Sequence, residues 1–485
     1  MQTSAGDAWF RRSLGVLPGL QQDLVVYHQP RLSNFFIADP YTDRLLRARN
    51  ARESSTEGKT ADKDRELLGR MLSKIDQLWS LSMKEPVLGG TDGRIPSLNI
   101  EVTSGCNLRC KHCYLTPDRG HRLPYAHFVK ILEEAAECGV RRLIITGGEP
   151  TTHRGFVRMM HAALVGGFGL NILSNGTRFT DDIKSRLLQL RETFSTELGS
   201  CALCGASTPM EAVDCPYCGN FLHPMLFQIS IDGANRATHE ALRGPRTFEP
   251  AVDTIRWLLD HGFPVAMSKT VTQYNLHQAE EYVDLALGLG VTQLRVGFLD
   301  VFDENVPSAD FFVDPQAMAQ YYMLLTNYVD RHNLVHKAGL RVAEVQGIRG
   351  ALANLCPRRS CYECKTVHVS ADGEARICPF CSHDSFSLGN LGGCSLQNAL
   401  AKKESMANKL YSFVEQVPTC SDCIFLAYCG AGCRGNALAV SGDLFGHDPY
   451  CRFYRDYFWF LMGTLSRFPD SPRNMTRPAL YETQA

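Results

Sequence analysis

The sequence predicts an α/β fold with a parallel sheet of about six strand–helix units, a small N-terminal module and a cysteine-rich C-terminal segment. Between about residues 97 and 345, amphipathic runs alternate with short apolar, β-rich runs. This alternation is typical of parallel strands joined by helical crossovers. Short polar motifs follow several of the predicted strands. Because active sites in such barrels lie at the carboxyl ends of the strands, we expect these motifs to share one site.

Four runs have apolar residues at helical spacing, and each leads into a predicted strand: AHFVKILEEAAECG, TDDIKSRLLQLRETF, FEPAVDTIRWLLDHG and QAEEYVDLALGLG. About six units fit into residues 96–345, which favours an incomplete (β/α)6 barrel of the TIM type over a closed eight-fold one. Residues 346–456 are assigned to a C-terminal metal-binding domain and 457–485 to a helix and tail. Residues 1–95 form an α+β module, with strands in DLVVYHQP and SNFFIADP and a helix in ELLGRMLSKIDQLWSL.

Composition limits the possible function classes. The chain has 485 residues, a net charge of −1 and 44% hydrophobic residues, so its charge predicts no bulk nucleic-acid partner. No apolar run reaches the roughly 18 residues of a membrane span, and the N-terminus lacks a signal-peptide core. Nineteen cysteines in a non-secreted chain point to metal ligation. We expect a cytoplasmic metalloprotein without a membrane partner.

Three cysteines follow the first predicted barrel strand, SLNIEVT. Cys106, Cys110 and Cys113 are spaced C-x3-C-x2-C, with Tyr114 directly after the third. Three thiolates hold three corners of a [4Fe–4S] cube and leave one iron open, whereas electron-transfer clusters take four cysteines. A disulfide scheme fails because the number is odd and the loop is too tight. A zinc site would need a fourth ligand, and we expect His112 to face away from the other side chains.

This pattern resembles the radical S-adenosylmethionine (radical SAM) superfamily, and further motifs follow in the expected order. RRLIITGGEP, LNILSNGT, FQISIDG, SKTVTQYN and LRVGF resemble the second to sixth barrel strands with their ends. The resemblance implies a catalytic cluster on Cys106, Cys110 and Cys113. It also implies cleavage of S-adenosylmethionine (SAM), chelated through its amino and carboxylate groups, to a 5′-deoxyadenosyl radical. The implied SAM-binding residues are Tyr114, Gly147, Gly148, Glu149, Pro150, Ser174, Asn175, Ser230, Asp232, Asn275 and Arg295.

Particular roles follow from the same resemblance. Glu149 would orient the methionine ammonium, and Ser230 and Asp232 would contact the ribose, although an Asp-Gly turn at a strand end explains the latter pair equally well. Arg295 would pair with a carboxylate of the ligand or form an ordinary ion pair. Tyr114 would cover the cube or simply pack.

A second cysteine group lies between the third and fourth predicted barrel strands. Cys201, Cys204, Cys215 and Cys218 form C-x2-C-x10-C-x2-C within residues 199–221, which is typical of a structural zinc ribbon. An iron or a further cluster is the alternative. Four cysteines leave no open position for catalysis. A loop that leads from a helix to a strand opens on the opposite face of the barrel from the loop of Cys106, Cys110 and Cys113, here called the cysteine loop. We therefore expect the ribbon to have a folding or docking role.

The C-terminal cysteines resemble the SPASM extension, which holds two auxiliary [4Fe–4S] clusters in relatives. That resemblance implies Cys420, Cys423, Cys429 and Cys451 as ligands of the second cluster. It implies Cys378 and Cys433 for the first, together with two of Cys356, Cys361 and Cys364, of which Cys361 is favoured. If only one of these three binds, the first cluster keeps an open iron.

Some positions depart from the pattern or lie outside it. Sulfatase-maturing relatives carry an acidic residue after the cysteine at 378, and here Pro379 cannot accept a proton, so that activity is disfavoured. Cys138, Cys381 and Cys394 belong to no motif and are expected to be structural thiols.

The resemblance implies an enzyme that oxidatively modifies a ribosomally made peptide or protein, by a thioether or carbon–carbon crosslink. Three [4Fe–4S] clusters, SAM and Zn²⁺ are the implied cofactors, and a flavodoxin or ferredoxin is the implied reductant. The N-terminal module loosely resembles peptide-recognition domains; an extension packed on the barrel remains the alternative. Two other functions stay open: oxidation of a small molecule, of the alcohol-dehydrogenase or haem-pathway type, and a non-catalytic iron–sulfur and zinc sensor.

Overall fold

The computed structural model describes residues 10–13, 25–29, 34–38, 97–115, 120–194, 223–299, 311–336, 339–342, 366–379, 383–414 and 429–467, with residues 417, 420, 423 and 425. In the N-terminal part, three strands form an antiparallel sheet in the order β1-β2-β3. They are β1 Phe10–Ser13, β2 Val25–Gln29 and β3 Asn34–Ala38. Both strands predicted in this segment are confirmed. The helix predicted after them lies outside the described residues.

A second sheet of ten strands forms the main body. Its strands are β4 Ser97–Thr103, β5 Arg142–Gly147, β6 Gly169–Ser174, β7 Met225–Ser230, β8 Val265–Val271, β9 Gln293–Phe298, β10 Arg341–Val342, β11 Thr366–Val369, β12 Glu374–Arg376 and β13 Ser387–Asn390. The strand order is β10-β9-β8-β7-β6-β5-β4-β11-β12-β13. Strands β4 to β9 are neighbours in chain order and all pair in parallel, which confirms the six parallel strands of the predicted barrel.

Helices connect these strands and cover their outer side. They are α1 Tyr125–Glu137, α2 Phe156–Val165, α3 Asp181–Thr193, α4 Arg236–Arg243, α5 Phe248–Asp260, α6 Glu280–Gly288, α7 Pro315–His336, α8 Leu396–Val414, α9 Arg434–Ser441 and α10 Cys451–Arg467. The four helices predicted between the strands are α1, α3, α5 and α6, each within two residues of the expected ends. None of the helices in the described part of the chain is long and apolar enough to cross a membrane.

Local sequence determines several helix ends. Helix α3 begins after Thr180, whose hydroxyl accepts a hydrogen bond from the Ile183 amide, and two aspartates follow in its first turn. Helix α4 begins after Asn235, whose side chain accepts from the Thr238 amide at 3.0 Å. It ends at Gly244, whose φ of 100° favours glycine. These caps place Arg243 at the end of α4, beneath the cysteine loop.

Side chains alternate between the two faces of the barrel strands. On β4, Leu98, Ile100 and Val102 are fully buried in the main apolar core. Glu101, between two of them, points to the opposite face, where His368 of β11 lies 3.8 Å from its carboxylate. The face away from the apolar core therefore carries buried polar groups.

The sheet continues from the barrel into the C-terminal segment. Strand β11 pairs in parallel with β4, and β12 and β13 follow it as antiparallel neighbours. One sheet therefore crosses the boundary predicted between residues 345 and 346. Helix α10 packs on α7, where the Tyr457 hydroxyl lies 3.0 Å from the Thr326 hydroxyl. This helix begins at Cys451, earlier than the predicted start at residue 457.

Candidate active site at the mouth of the barrel

The cysteine loop follows β4 and is held closely by the loop that follows β5. The Gly148 amide donates to the Thr103 carbonyl at 2.7 Å, and the Glu149 amide donates to the Gly105 carbonyl at 2.9 Å. A Cβ atom on Gly148 would lie 2.4 Å from that Gly105 oxygen. Only glycine permits this approach, because the neighbouring atoms are all backbone. The first two predicted motifs are thus brought together.

Glu149 is completely buried and connects the ends of β5 and β6. Its Oε1 accepts hydrogen bonds from the Thr151 amide, the Thr151 hydroxyl and the Ser174 hydroxyl, and its Oε2 accepts from the Asn175 amide at 2.7 Å. Burial raises the pKa of Glu149, and these four hydrogen bonds act in the opposite direction. Within the described residues Oε2 accepts a single hydrogen bond, so it is the oxygen with room for a further donor.

Asn175 extends this contact to the first cysteine. Its Nδ2 donates to the Asn107 side chain at 3.0 Å and lies 3.8 Å from the Cys106 sulfur. The Leu108 amide also points to that sulfur, at 3.4 Å. Asn107 in turn donates to the Thr177 hydroxyl at 2.9 Å. The loops after β4 and β6 are therefore connected through side-chain amides at the first thiol.

The far side of the cysteine loop is attached to α4. The Lys111 amide donates to the Leu242 carbonyl at 2.9 Å, and His112 is buried with its Nε2 3.2 Å from Asp232 Oδ2. The same Asp232 oxygen accepts from Arg243 Nε at 2.5 Å. His112 is thus paired with Asp232, and its expected orientation away from the thiols stays a prediction. Arg243 was missed by sequence reasoning, because only the fold brings α4 beneath the loop.

Asp232 and Asn275 are fully occupied by protein partners. The Asp232 carboxylate is completely buried and also accepts from the Thr270 amide at 2.9 Å. Asn275 donates to the Asp232 and Thr270 carbonyls at 2.7 and 2.8 Å and accepts from the Thr272 amide. These side chains hold the ends of β7 and β8 together. Their expected contacts with SAM stay predictions.

Ser230, Ser268 and Arg295 lie side by side on β7, β8 and β9. The two serine hydroxyls are 3.5 Å apart. The Arg295 Nε is buried and has no hydrogen-bond partner within the described residues. A buried guanidinium nitrogen without a partner is costly, so this position suits an anionic group such as a carboxylate.

Tyr114 lies between the cysteine loop and the C-terminal segment. Burial raises the pKa of its hydroxyl, and the charges of Glu101, Cys113 and Cys378 raise it further. Glu101 is itself almost fully buried, and burial raises its pKa to about 7. Cys378, the first described cysteine of the C-terminal segment, therefore lies near the Cys113 end of the loop.

Four C-terminal cysteines form a second group. Burial raises the pKa of Cys429 strongly, with further contributions from Asp448, Cys423, Cys451 and Cys420 in that order. The Cys423 amide donates to the Cys420 carbonyl at 2.9 Å. Cys433 precedes α9, and its amide donates to the Asp448 carboxylate. Cys420, Cys423 and Cys451 therefore lie near Cys429. Their role as cluster ligands stays a prediction.

Several predicted ligands cannot be compared with the structure. Cys356, Cys361, Cys364 and the four ribbon cysteines lie outside the described residues. Within the described ranges, no three His, Cys, Asp or Glu side chains converge on a single metal ion. This does not conflict with a cube, in which each thiolate binds a different iron. Three thiols on one loop, with amide groups pointing at Cys106, fit a cluster better than an isolated ion.

Residues 100–196, which include the cysteine loop, the Gly-Gly-Glu loop and Asn175, match the family model of the radical SAM superfamily. The chain therefore contains a radical SAM domain. Such a domain implies SAM and one [4Fe–4S] cluster as cofactors.

Two curated relatives of the radical SAM chain differ in their named activities. Mycofactocin maturase MftC of Mycolicibacterium smegmatis is 28% identical over 373 residues, covering 73% of this chain and 82% of the relative. The AdoMet-dependent heme synthase of Methanosarcina barkeri is 26% identical over 379 residues, covering 72% of this chain and 94% of the relative.

Solved structures share the fold at low sequence identity. The enzyme anSMEcpe, solved with bound AdoMet, has a TM-score of 0.61 at 16% identity and covers 78% of this chain and 99% of its own. Streptococcus suis SuiB, solved with its precursor peptide SuiA, has a TM-score of 0.56 at 14% identity and covers 88% and 95%. Both likenesses support the α/β fold predicted from the sequence.

Proposed function

We propose that this radical SAM enzyme oxidatively modifies a ribosomally made peptide or protein, forming a thioether or carbon–carbon crosslink. The observation that carries the proposal is the cysteine loop at the mouth of the barrel, held by the Gly-Gly-Glu loop on one side and by α4 on the other. The enzyme acts in a reducing, low-oxygen cytoplasm, with a flavodoxin or ferredoxin as electron donor.

Cys106, Cys110 and Cys113 would hold the [4Fe–4S] cluster, and the backbone of Gly147 to Pro150 would line the SAM site. Within the described residues Glu149 Oε2 accepts one hydrogen bond and Arg295 Nε makes none, which suits the methionine ammonium and a carboxylate respectively. The engaged side chains of Asp232 and Asn275 shape this site from beneath. Once bound and reduced, such a cluster would supply the electron for cleavage of SAM to a 5′-deoxyadenosyl radical.

The chain's own residues position this chemistry and exclude water from it. Asn175 and the Leu108 amide direct polar hydrogens at the Cys106 sulfur, which stabilises negative charge there. Tyr114 covers the side of the loop that faces Cys378. Within a barrel the radical would meet its substrate at the carboxyl ends of the strands, where these groups lie.

The C-terminal cysteines are proposed as ligands of two further clusters. Cys420, Cys423, Cys429 and Cys451 would hold one, supported by the proximity of the other three to Cys429. Cys378 and Cys433, with two of the cysteines in 356–364, would hold the other. The ribbon cysteines would hold one Zn²⁺ in a structural role. The division into an N-terminal module, a barrel with an inserted zinc ribbon, and a C-terminal cluster domain is part of this proposal.

Peptide modification is favoured by the relatives. One relative is named as a maturase, and SuiB was solved with a precursor peptide. Residues 1–95 are proposed to help recognise the peptide. The second candidate is oxidation of a small molecule, which the match to a heme synthase over 94% of that relative favours.

The test is anaerobic reconstitution followed by metal counting and mass spectrometry of candidate peptides. We expect 5′-deoxyadenosine and a peptide lighter by two hydrogens, encoded near this gene. Replacing Cys106, Cys110 and Cys113 by Ala should abolish 5′-deoxyadenosine while leaving about two clusters per chain. Cys138→Ala, which changes a cysteine outside every motif, is the matched control. Replacing the ribbon cysteines should remove zinc but spare SAM cleavage.

Two outcomes separate the alternatives. Cleavage of SAM by the triple variant would refute the site. Turnover of a small molecule, with candidate peptides unchanged, would favour the second candidate over peptide modification.

A further inference from the structure

A buried ion pair lies directly beneath the cysteine loop. Arg243 Nε donates to Asp232 Oδ2 at 2.5 Å, and the two side chains are 12% and 0% exposed. Arg243 comes from the last turn of α4, and Asp232 follows β7. Both charges are removed from water, so each depends on the other and on the groups around them.

Asp232 is held in its charged form. Burial alone would raise its pKa, but Arg243 and His112 outweigh burial, and the pKa lies well below its usual range. The Thr270 amide donates to the other carboxylate oxygen at 2.9 Å. His239 accepts from the Asp232 amide, which fixes the backbone at this point. The carboxylate therefore remains a fixed negative charge.

The pair lies next to the two thiols that flank Lys111 and His112. Arg243 ends α4 directly after Leu242, whose carbonyl accepts a hydrogen bond from the Lys111 amide. Both charges are therefore held close to Cys110 and Cys113, where little water can screen them.

The loop is fastened to the same pair. His112 lies between Cys110 and Cys113 in sequence and contacts Asp232 at 3.2 Å. The adjacent Lys111 amide donates to the carbonyl of Leu242, the residue before Arg243. The cysteine loop therefore contacts Asp232 directly and contacts the residue next to Arg243.

We propose that Asp232 and Arg243 are positioning residues that set the charge at the cluster of Cys106, Cys110 and Cys113 and thereby tune its reduction potential. This inference rests on the proposed function of the cysteine loop. Adding an electron to a cluster is easier beside a cation and harder beside an anion. Arg243 therefore raises the potential, and Asp232 limits that rise.

The experiment is a reductive titration of the full-length, reconstituted enzyme, followed by electron paramagnetic resonance. The cluster of interest is identified as the signal that changes when SAM is added. We expect Arg243→Gln to shift its midpoint to a more negative potential and Asp232→Asn to shift it to a more positive one. Combining both changes should return the midpoint towards the wild-type value. Arg243→Lys, which keeps the charge, should stay close to wild type.

A purely structural pair predicts a different pattern, in which both single variants shift the same way or not at all. That result, at full iron content, would overturn the proposal. If Arg243→Gln does not fold, Asp232→Asn decides alone, because a negative or absent shift contradicts the inference. A wild-type enzyme without any SAM-responsive signal would instead refute the proposed function. The two failures are therefore distinguishable.

Discussion

The close approach of two loops at Gly148 predicts that Gly148→Ala disrupts the site. The new methyl group would lie 2.4 Å from the Gly105 oxygen and 2.5 Å from the Ser104 oxygen, and these backbone atoms cannot rotate away. Relieving the clash requires the loops to separate. That separation breaks the hydrogen bonds from Gly148 to Thr103 and from Glu149 to Gly105.

The expected loss follows from these contacts. Two hydrogen bonds contribute about 1 kcal/mol each, and overpacking costs about 2 kcal/mol, so we expect the free energy of unfolding to fall by about 4 kcal/mol. That is a large fraction of the roughly 5–15 kcal/mol that stabilises an ordinary domain. Because the cysteine loop begins at these contacts, iron uptake by the variant should also fall.

The assay is urea unfolding of iron-free protein under anaerobic conditions, followed by iron counting after reconstitution. Gly297→Ala is the matched control, since nothing lies within 4 Å of its added methyl group and β9 needs no left-handed backbone there. It should unfold at the wild-type midpoint and bind iron normally. If Gly148→Ala behaves like this control, the reasoning about the two loops is refuted.

Two further predictions concern buried carboxylates. Glu149→Gln places an amide N–H₂ against either the Asn175 amide or the donors of Thr151 and Ser174, so one donor then faces another donor. We expect the free energy of unfolding in urea to fall by about 2 kcal/mol. An unchanged unfolding midpoint would contradict the arrangement. For Glu101, the folded pKa of about 7 lies above the ordinary value of 4.5, so protonation stabilises the fold below pH 4.5 and this contribution is lost as the pH rises to 7. Glu101→Gln should therefore match wild type near pH 4.5 and exceed it by up to about 3 kcal/mol at pH 8; a difference that does not grow with pH would show that Glu101 is not buried as described.

The sequence predicted the barrel because its helices have distinct apolar and polar sides. Within residues 97–345 it missed α2, α4 and α7. Helices α2 and α4 are short, at 10 and 8 residues, so they offer few turns in which a helical period can be recognised. In α7 apolar and polar residues are mixed around the helix, which weakens the period. The pairing of β11 with β4 was also missed, because strands 269 residues apart carry no local signal of their register.

The motif residues were predicted at the correct rim, but several of their contacts were not. The cysteine spacing and the resemblance to the radical SAM superfamily together assigned Cys106, Glu149 and Asn175 to one site. It did not show that Glu149 is enclosed by four hydrogen bonds, or that Asp232 is paired with Arg243. Buried charges take their partners from whatever the fold brings near, and those partners cannot be found from sequence spacing.

The central claim is that three cysteines hold a [4Fe–4S] cluster whose remaining iron binds SAM. The most direct measurement is electron–nuclear double resonance on the reduced, reconstituted enzyme with SAM labelled at its amino nitrogen. We expect a hyperfine coupling from that nitrogen, and we expect it to disappear in the Cys106, Cys110 and Cys113 triple variant. A wild-type signal that SAM leaves unchanged, or a coupling that survives in the triple variant, would contradict the account.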